Sequence, residues 1–495
     1  MEYLLSIDAG TTSVRAVVYD FALNVKASAQ KEFRQIYPSP GFVEHDTGEI
    51  YAAVLHVIRQ AAASLDAKRI AGIGITNQRE TTVLFQKDGR AVHNAVVWQC
   101  RRSADICRQL RERGLEKIFS EKTGLVLDAY FSGTKIRWLL DQDPQWQATA
   151  KKGCLLFGTM DAYLAFRLTG GRSHVTDFTN ASRTLLFNIH EKRWDGELLE
   201  ILGIPPAMLP RAMPSASDFG VTHGVDGLPD GIPILSLIGD QQAALTGNLG
   251  FKAGDVKITY GTGCFMLMNT GVKPYASPSG LLTTLSASFD GSPLYCLEGS
   301  VFMGGAVVQW LRDGIKLLKS APDSEAMALE ARDIPGLFLV PAFTGLGCPY
   351  WDMEASGTLV GLRRETTEKE IVKAGLHGIA LQVHDVYREF RKFPDIPKRT
   401  IRVDGGASRN NYLMQFQADM LDAELERALN VESTALGAAI LAGSRAGAFD
   451  YQKAGGLVGK DRSFLPRLDA PSRERILSNW EKAVQAARSY KPQRR

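Results

Sequence analysis

The strand-like apolar runs YLLSIDAG and VRAVVYD flank the small polar turn AGTTS, which predicts an opening hairpin with Gly10, Thr11, Thr12 and Ser13 at its tip. The same plan returns at DVKITY, GTG and CFMLMNT, where Gly261 and Thr262 match Gly10 and Thr11. Two such hairpins, one near the start and one near the middle, suggest two related halves. Between them, helix-like DICRQLRERGLEKIF and strand-like IAGIGIT alternate as mixed α/β layers do. The glycine-rich GNLGFKAGD reads as a boundary or hinge, dividing residues 1–247 from residues 248–495. Beyond it, VFMGGAVVQWLRDGIKLL reads as a helix with Gly304 and Gly305 near its start. IRVDGGASRNNYLMQFQADML reads as strand, turn and amphipathic helix, with Leu413, Phe416 and Met420 on one face.

Composition narrows the classes. A chain of 495 residues, 45% hydrophobic and 23% charged, is too long for one core and has the apolar content of an ordinary globular enzyme. Its net charge of +4 is small, and outside the terminal KPQRR its basic residues are dispersed, so no nucleic-acid or stable membrane surface is expected. The six cysteines form no C-x-x-C pair, which argues against a zinc site or a disulfide framework and fits a reducing cytoplasm. MEYLLSIDAGTT lacks a basic leader region, and no run approaches the roughly 18 apolar residues of a membrane span.

Some polar residues stand where their burial needs a reason. TNQRETT places Arg79 and Glu80 between the apolar runs IAGIGI and VLF, and removing either ion from water costs several kcal/mol or more without a partner. Turns of Gly, Thr and Ser offer unobstructed N–H groups and hydroxyls to phosphate oxygens, and two such turns could clamp a polyphosphate. Either alone is equally an ordinary tight turn. Asp8 and Asp240 each close an apolar run, so each carboxylate lies at a sheet edge where it could hold Mg2+ or accept a proton. In VDGGASRNN, Gly405 and Gly406 would let a flat ligand approach, and Asn410 opens a helix from which it could hydrogen-bond one. The signatures G-x-x-x-x-G-K-[ST], G-x-G-x-x-G after a strand, G-x-S-x-G and H-E-x-x-H are absent, which excludes the P-loop, dinucleotide, esterase-elbow and zincin schemes.

In order, SIDAGTTSVRAVVYD, GITNQRETT, VVWQCRR, DAYFSGTKIRWLL, FGTMDAYLAFRLT, HVTDFTNASRTLLFNI, GDQQAAL, YGTGCFMLMNTG, PAFTGLGCPYWD and VDGGASRNNYLMQFQADML resemble the motifs of the FGGY carbohydrate kinases. Among these, the glycerol-phosphorylating members are the most similar, and the resemblance runs from about Tyr3 to Gly443. It implies an actin-like, ribonuclease-H-like pair of α/β domains around a cleft, with ATP and Mg2+ as cofactors and glycerol as substrate. By the same resemblance Arg79, Glu80, Tyr130, Asp240 and Gln241 would hold glycerol hydroxyls, and Trp98 and Phe265 would cover its carbon chain. Asp240 would be the general base, and Asp8, with Asp240, would hold Mg2+. Thr11, Thr12, Ser13, Arg15 and Thr262 would face the phosphates, while Gly305, Gln309, Gly405, Gly406 and Asn410 would line the nucleotide pocket. Homo-oligomers are usual in this family. Adjacency of Arg79 and Glu80 would itself neutralise part of their charge.

The sequence departs from that pattern in places. Ala9 gives D-A-G-T-T where the glycerol enzymes have D-Q-G-T-T, and Gly231 replaces an arginine in a loop that binds a sugar bisphosphate in some bacterial members. Fructose 1,6-bisphosphate is therefore not expected to inhibit. His223 reads as a plain loop residue, and Gly375 and His377 stand where a small hydroxyl residue and a carboxylate are usual. A kinase of another small polyol or ketose, or a non-catalytic nucleotide-dependent switch, remains open at this level.

Overall fold

The computed structural model describes residues 1–490 apart from 278, 288–291, 293 and 430–431, so the KPQRR tail lies outside the described residues. The opening hairpin forms as expected, from β1 (Tyr3–Ala9) and β2 (Ser13–Asp20), with β3 (Val25–Glu32) antiparallel beyond it. Helix α1 (Thr47–Ala62) starts where the Asp46 carboxylate accepts from Gly48 N at 2.7 Å and Glu49 N at 3.2 Å. It packs Ile50, Val54, Val57 and Ile58 against the sheet's apolar face. Strands β4 (Ile70–Asn77) and β5 (Ile234–Gly239) join β1 in parallel, giving the order 3-2-1-4-5. Their continuous apolar runs suit strands covered on both faces.

The second sheet repeats that order. Helix α2 (Asp240–Gly247) leads through residues 248–255 to the hairpin β6 (Val256–Tyr260) and β7 (Cys264–Gly271). The short edge strand β8 (Leu282–Leu285) precedes β9 (Tyr295–Val301), which pairs antiparallel with β7. After the buried 23-residue helix α3 (Glu368–Phe390), β10 (Ile401–Asp404) adds to β6 in parallel. Helix α4 (Asn411–Leu421) and parallel strand β11 (Leu425–Ala428) follow. Hairpin, antiparallel third strand and two parallel strands therefore occur twice, which substantiates the two related halves read from the hairpins.

Two helices differ from their expected outlines. Arg113 and the left-handed Gly114, φ 72°, break DICRQLRERGLEKIF into helices over Ala104–Glu112 and Glu116–Thr123. The stretch after Gly304 is a short α-helix, Gly305–Gln309, continued by a π turn over Trp310–Gly314. His377 on α3 stacks on Phe416 with centroids 3.7 Å apart and hydrogen-bonds the Tyr412 hydroxyl at 2.8 Å, so it fastens α3 to α4.

Helix α5 (Ser433–Arg445) returns from the second sheet to the first. It can approach so closely because small residues line the contact: Ser6 Oγ donates to Ala435 O at 2.7 Å and Ser236 Oγ to Ala438 O at 2.8 Å. A Cβ on Gly437 would stand 1.9 Å from Ala243 O, and one on Gly247 2.1 Å from Ser433 O. Among the described residues no helix is long and apolar enough to cross a membrane. Gly437→Ala should destabilise by about 1–3 kcal/mol, the scale of overpacking, read as a lower urea midpoint. Gly455→Ala, within the helix Tyr451–Leu457 where an added Cβ meets nothing within 4 Å, should instead stabilise by up to about 1 kcal/mol, read as a midpoint no lower than the parent's.

Candidate active site

Arg79 and Glu80 leave the end of β4 for the interior between the two sheets, and each has a nearer partner than the other. Arg79 grips Glu298 of β9 with both Nη atoms, at 2.6 and 2.9 Å, and donates to Gln242 Oε1 at 3.1 Å. Glu80 accepts from Arg183 Nε at 2.6 Å, and Arg183 Nη2 reaches Glu298 at 3.0 Å. The Arg79–Glu80 separation is 3.9 Å, so adjacency contributes less than expected. Neutrality comes from two partners distant in sequence, Arg183 and Glu298. All four side chains are at most 2% exposed, and they form a net-neutral cluster that crosses the seam between the domains.

The cluster sets its own protonation. Burial alone would raise the Glu298 pKa, but two guanidiniums hold it down to about 2. Glu80 has one close arginine, and burial keeps its pKa above the ordinary value. Glu80 also has a left-handed backbone, φ 60°, which a non-glycine residue holds only under constraint. Its carbonyl supplies that constraint by accepting from Ser132 Oγ at 3.0 Å, Thr82 Oγ1 at 3.1 Å and Lys135 Nζ at 3.3 Å.

Asp240, at the N-terminus of α2, lies with Oδ1 3.2 Å from Arg79 Nε. Its carboxylate is about 27% exposed and accepts from Gln241 N at 2.7 Å. Burial raises its pKa, with Arg79 and Lys257 opposing. Trp98 stands edge-on to both Tyr130, at 5.6 Å, and Phe265, at 6.3 Å, so three rings from both domains wall one side. The Trp98 indole donates to Thr11 Oγ1 at 3.0 Å, which joins that wall to the first hairpin turn. The Gln241 carboxamide is engaged by Lys257 Nζ.

At the first turn, Gln30 of β3 donates to Ser13 Oγ at 2.9 Å and accepts from Arg15 Nη2 at 2.8 Å, while Thr12 is exposed. Asp8 faces Arg15 across the β1–β2 pair. Its pKa rises to about 7, chiefly through burial and then through the charge of Asp240. A buried carboxylate whose proton affinity is raised by a second carboxylate, as Asp8 is by Asp240, would suit a divalent cation. Among the described residues no group of three or more His, Cys, Asp or Glu could hold a metal, so such an ion would share its shell with phosphate oxygens and water, as Mg2+ does.

Beside the second turn lies a cavity of about 430 Å3, walled by Thr262, Gly305, Gln309, Gly406 and Asn410, with Leu376 and Leu413 among the apolar contributors. Gly405 is not in its wall. With φ 86° and only 2.6 to 2.9 Å between an added Cβ and the Tyr260 backbone, Gly405 permits the close approach of β6 and β10. Asn410 is also used within the protein: Oδ1 caps α4 through Leu413 N at 2.9 Å, and Nδ2 donates to Ser324 Oγ at 3.1 Å.

A neutral ion cluster under a ring-walled cleft, with a small-residue turn from each domain at its edge, is the layout implied by the motif order. Residues 3–247 match the N-terminal domain, and residues 256–446 the C-terminal domain, of the FGGY family of carbohydrate kinases. The chain belongs to that family. This FGGY kinase is 52% identical over 492 residues to glycerol kinase 2 of Thermotoga maritima, covering 98% of each chain. It is 49% identical over 494 residues to the glycerol kinase of Bacillus licheniformis, covering 99% of this chain and 100% of the relative. The crystal structure of Plasmodium falciparum glycerol kinase with ADP superposes with a TM-score of 0.92 at 34% identity, covering 98% of both chains.

Sequence reasoning passed over Arg183, Glu298, Lys257 and Gln30. The signal for Glu298 and Lys257 was the one used for Arg79: a charge within an apolar strand, LYCLEGSV and DVKITY, has to meet an opposite charge. Glu298→Gln should destabilise the FGGY kinase by about 3–5 kcal/mol at neutral pH, because two buried guanidiniums then keep only Glu80 and the partly exposed Asp240. The folded pKa lies below the ordinary 4.5, so the stabilisation is complete above that value and fades as pH falls toward about 2. Urea titrations from pH 7 to pH 2.5 should show the gap between parent and variant narrowing below about pH 4.5; a constant gap would contradict the pairing.

Proposed function

We propose that this protein transfers the γ-phosphoryl group of ATP to a primary hydroxyl of glycerol, giving sn-glycerol 3-phosphate and ADP. The observation that carries the reading is the cluster of Arg79, Glu80, Arg183 and Glu298: paired among themselves, they retain donors and acceptors suited to a small polyol. Arg79 Nε and Arg183 Nη1 are buried without hydrogen-bond partners of their own. Full-length relatives at about half identity that carry the name glycerol kinase support it.

The steps follow from position and charge. Arg79 and Glu80 hold two hydroxyls, with Tyr130 and Gln241 completing the polar shell, while Trp98 and Phe265 cover the carbon chain and exclude larger sugars. Asp240 orients the third hydroxyl and takes its proton as the oxygen forms its bond to Pγ; the bond from Pγ to the β–γ bridging oxygen breaks, and that oxygen leaves with ADP. Thr11, Thr12, Ser13 and Arg15 meet the phosphates from one domain and Thr262 from the other, with Gly305, Gln309 and Gly406 along the nucleotide. Asp8 and Asp240 would hold Mg2+, which when bound neutralises charge on the phosphates. The reading places the enzyme in the cytoplasm as a homo-oligomer acting on dissolved substrates, in keeping with six free cysteines.

A coupled ADP-release assay across glycerol, dihydroxyacetone, erythritol, xylulose, ribulose and gluconate should give glycerol the highest kcat/KM by tenfold or more. A different winner would leave the kinase standing and remove the glycerol assignment. Asp240→Asn should lower kcat by about 10²–10⁴-fold with unchanged thermal unfolding, whereas near-normal turnover would remove the base. Gly231 has φ 92°, a conformation poorly suited to an arginine, and its loop places His223 Nδ1 2.7 Å from Asp230. Millimolar fructose 1,6-bisphosphate should accordingly leave the rate unchanged.

A further inference from the structure

Lys257, on β6, is fully buried in the seam between the domains. Its ammonium donates to two neutral oxygens: Gln241 Oε1 on α2 of the first domain, and Thr259 Oγ1 on its own strand at 2.9 Å. Burial lowers its pKa to about 8; the negative charges acting against that are Asp404, then Glu298, then Asp240. The contact with Gln241 leads directly to the reacting end, because the main-chain N–H of Gln241 donates to Asp240 Oδ1 at 2.7 Å.

On its other side the ammonium faces the strand that leads into the nucleotide turn. Thr259 pairs in register with Asp404, the residue immediately before Gly405 and Gly406. Asp404 Oδ2 accepts from Asn248, in the segment linking the domains, and from Ser433, at the start of α5. The Asp404 carboxylate also feels the Thr259 hydroxyl, and the Lys257 ammonium is the charge that most opposes the effect of its burial. One buried cation thus touches the segment carrying the base and balances a carboxylate to which the interdomain link, the return helix and the nucleotide turn are all attached.

We propose that Lys257 is a positioning residue of the transfer reaction, tying Asp240 to the nucleotide-turn strand so that seating of the nucleotide and aim of the base are coupled. This rests on the reading of Asp240 as the base of a glycerol kinase. Misplacing a reacting group by about 1 Å is enough to lose about 10²-fold in rate. The coupling is also reciprocal: a link that lets nucleotide organise the glycerol site must let glycerol strengthen nucleotide binding by the same factor.

A merely structural role for Lys257, neutralising Asp404, makes a different forecast. Lys257→Met removes the charge and strands Asp404; the double variant Lys257→Met/Asp404→Asn removes both charges and leaves an amide oxygen for Asn248 and Ser433. Thermal unfolding, kcat, KM for glycerol and for MgATP, and ADP affinity with and without saturating glycerol are measured for parent, single and double variants. The proposal expects the double variant to regain most of the parent's thermal stability while kcat stays about 10²-fold low and glycerol no longer tightens ADP binding. If the single variant does not fold, the double variant decides alone. Recovery of kcat and of the glycerol effect in the double variant would overturn the proposal, and so would slow turnover with the glycerol effect intact. Parent turnover of glycerol in the same assay tests the underlying activity separately.

Discussion

Two arginines and two glutamates share one dry volume at the meeting of the domains, and most of the site's geometry is a way of keeping them paired. Buried ion clusters are poor stabilisers, since well-packed apolar residues of like volume often serve stability as well or better. Their value lies in direction. Glu298 accepts from both guanidiniums at once, which fixes the two planes and leaves Arg183 Nη1 without a hydrogen-bond acceptor and Arg79 Nε with only the charge of Asp240 Oδ1 at 3.2 Å. Glu80, turned by its left-handed backbone, presents its carboxylate beside them. A triol is a natural complement to that array, having hydroxyls that can both donate and accept.

Because Glu298 belongs to the second sheet and Arg79, Glu80 and Arg183 to the first half of the chain, the cluster is also a joint between domains. It is not the sole joint. Helix α5 crosses back onto the first sheet along a stripe of Ser, Gly and Ala, and Lys257 reaches Gln241 across the same seam. Apolar contact holds α5 close, whereas the polar joints specify angle and register. The ring wall, Asp240 and the two small-residue turns therefore lie on elements whose relative placement is fixed by contacts outside the cleft itself.

The fold was legible because its signals are local. Each hairpin turn, the strand ends at Asp8 and Asp240 and the repeated small-residue tips lie within a few residues of one another, and the repeated 3-2-1-4-5 order follows from two copies of one plan. What escaped were relations between distant segments. Arg183 and Glu298 lie 115 residues apart, and nothing near either names its partner. The close approach of the Tyr260 backbone, which also demands a glycine at 405, could not be read from the sequence. Asn410 stands in the cavity wall, and its part in capping α4 and in meeting Ser324 was not legible. The return of α5 was invisible for the same reason: its small residues record closeness without saying to what.

The central claim is that this paired cluster recognises hydroxyl groups one by one. The measurement that tests it most directly is kcat/KM for glycerol against 1,2-propanediol and 1,3-propanediol, which keep a primary hydroxyl to receive phosphate but each lack one other hydroxyl. A site whose buried donors and acceptors are left unpaired by the missing group should reject both analogues by about 10⁴-fold. Values within about tenfold of glycerol would show that the cluster serves the fold alone, and that some other part of the cleft selects the substrate.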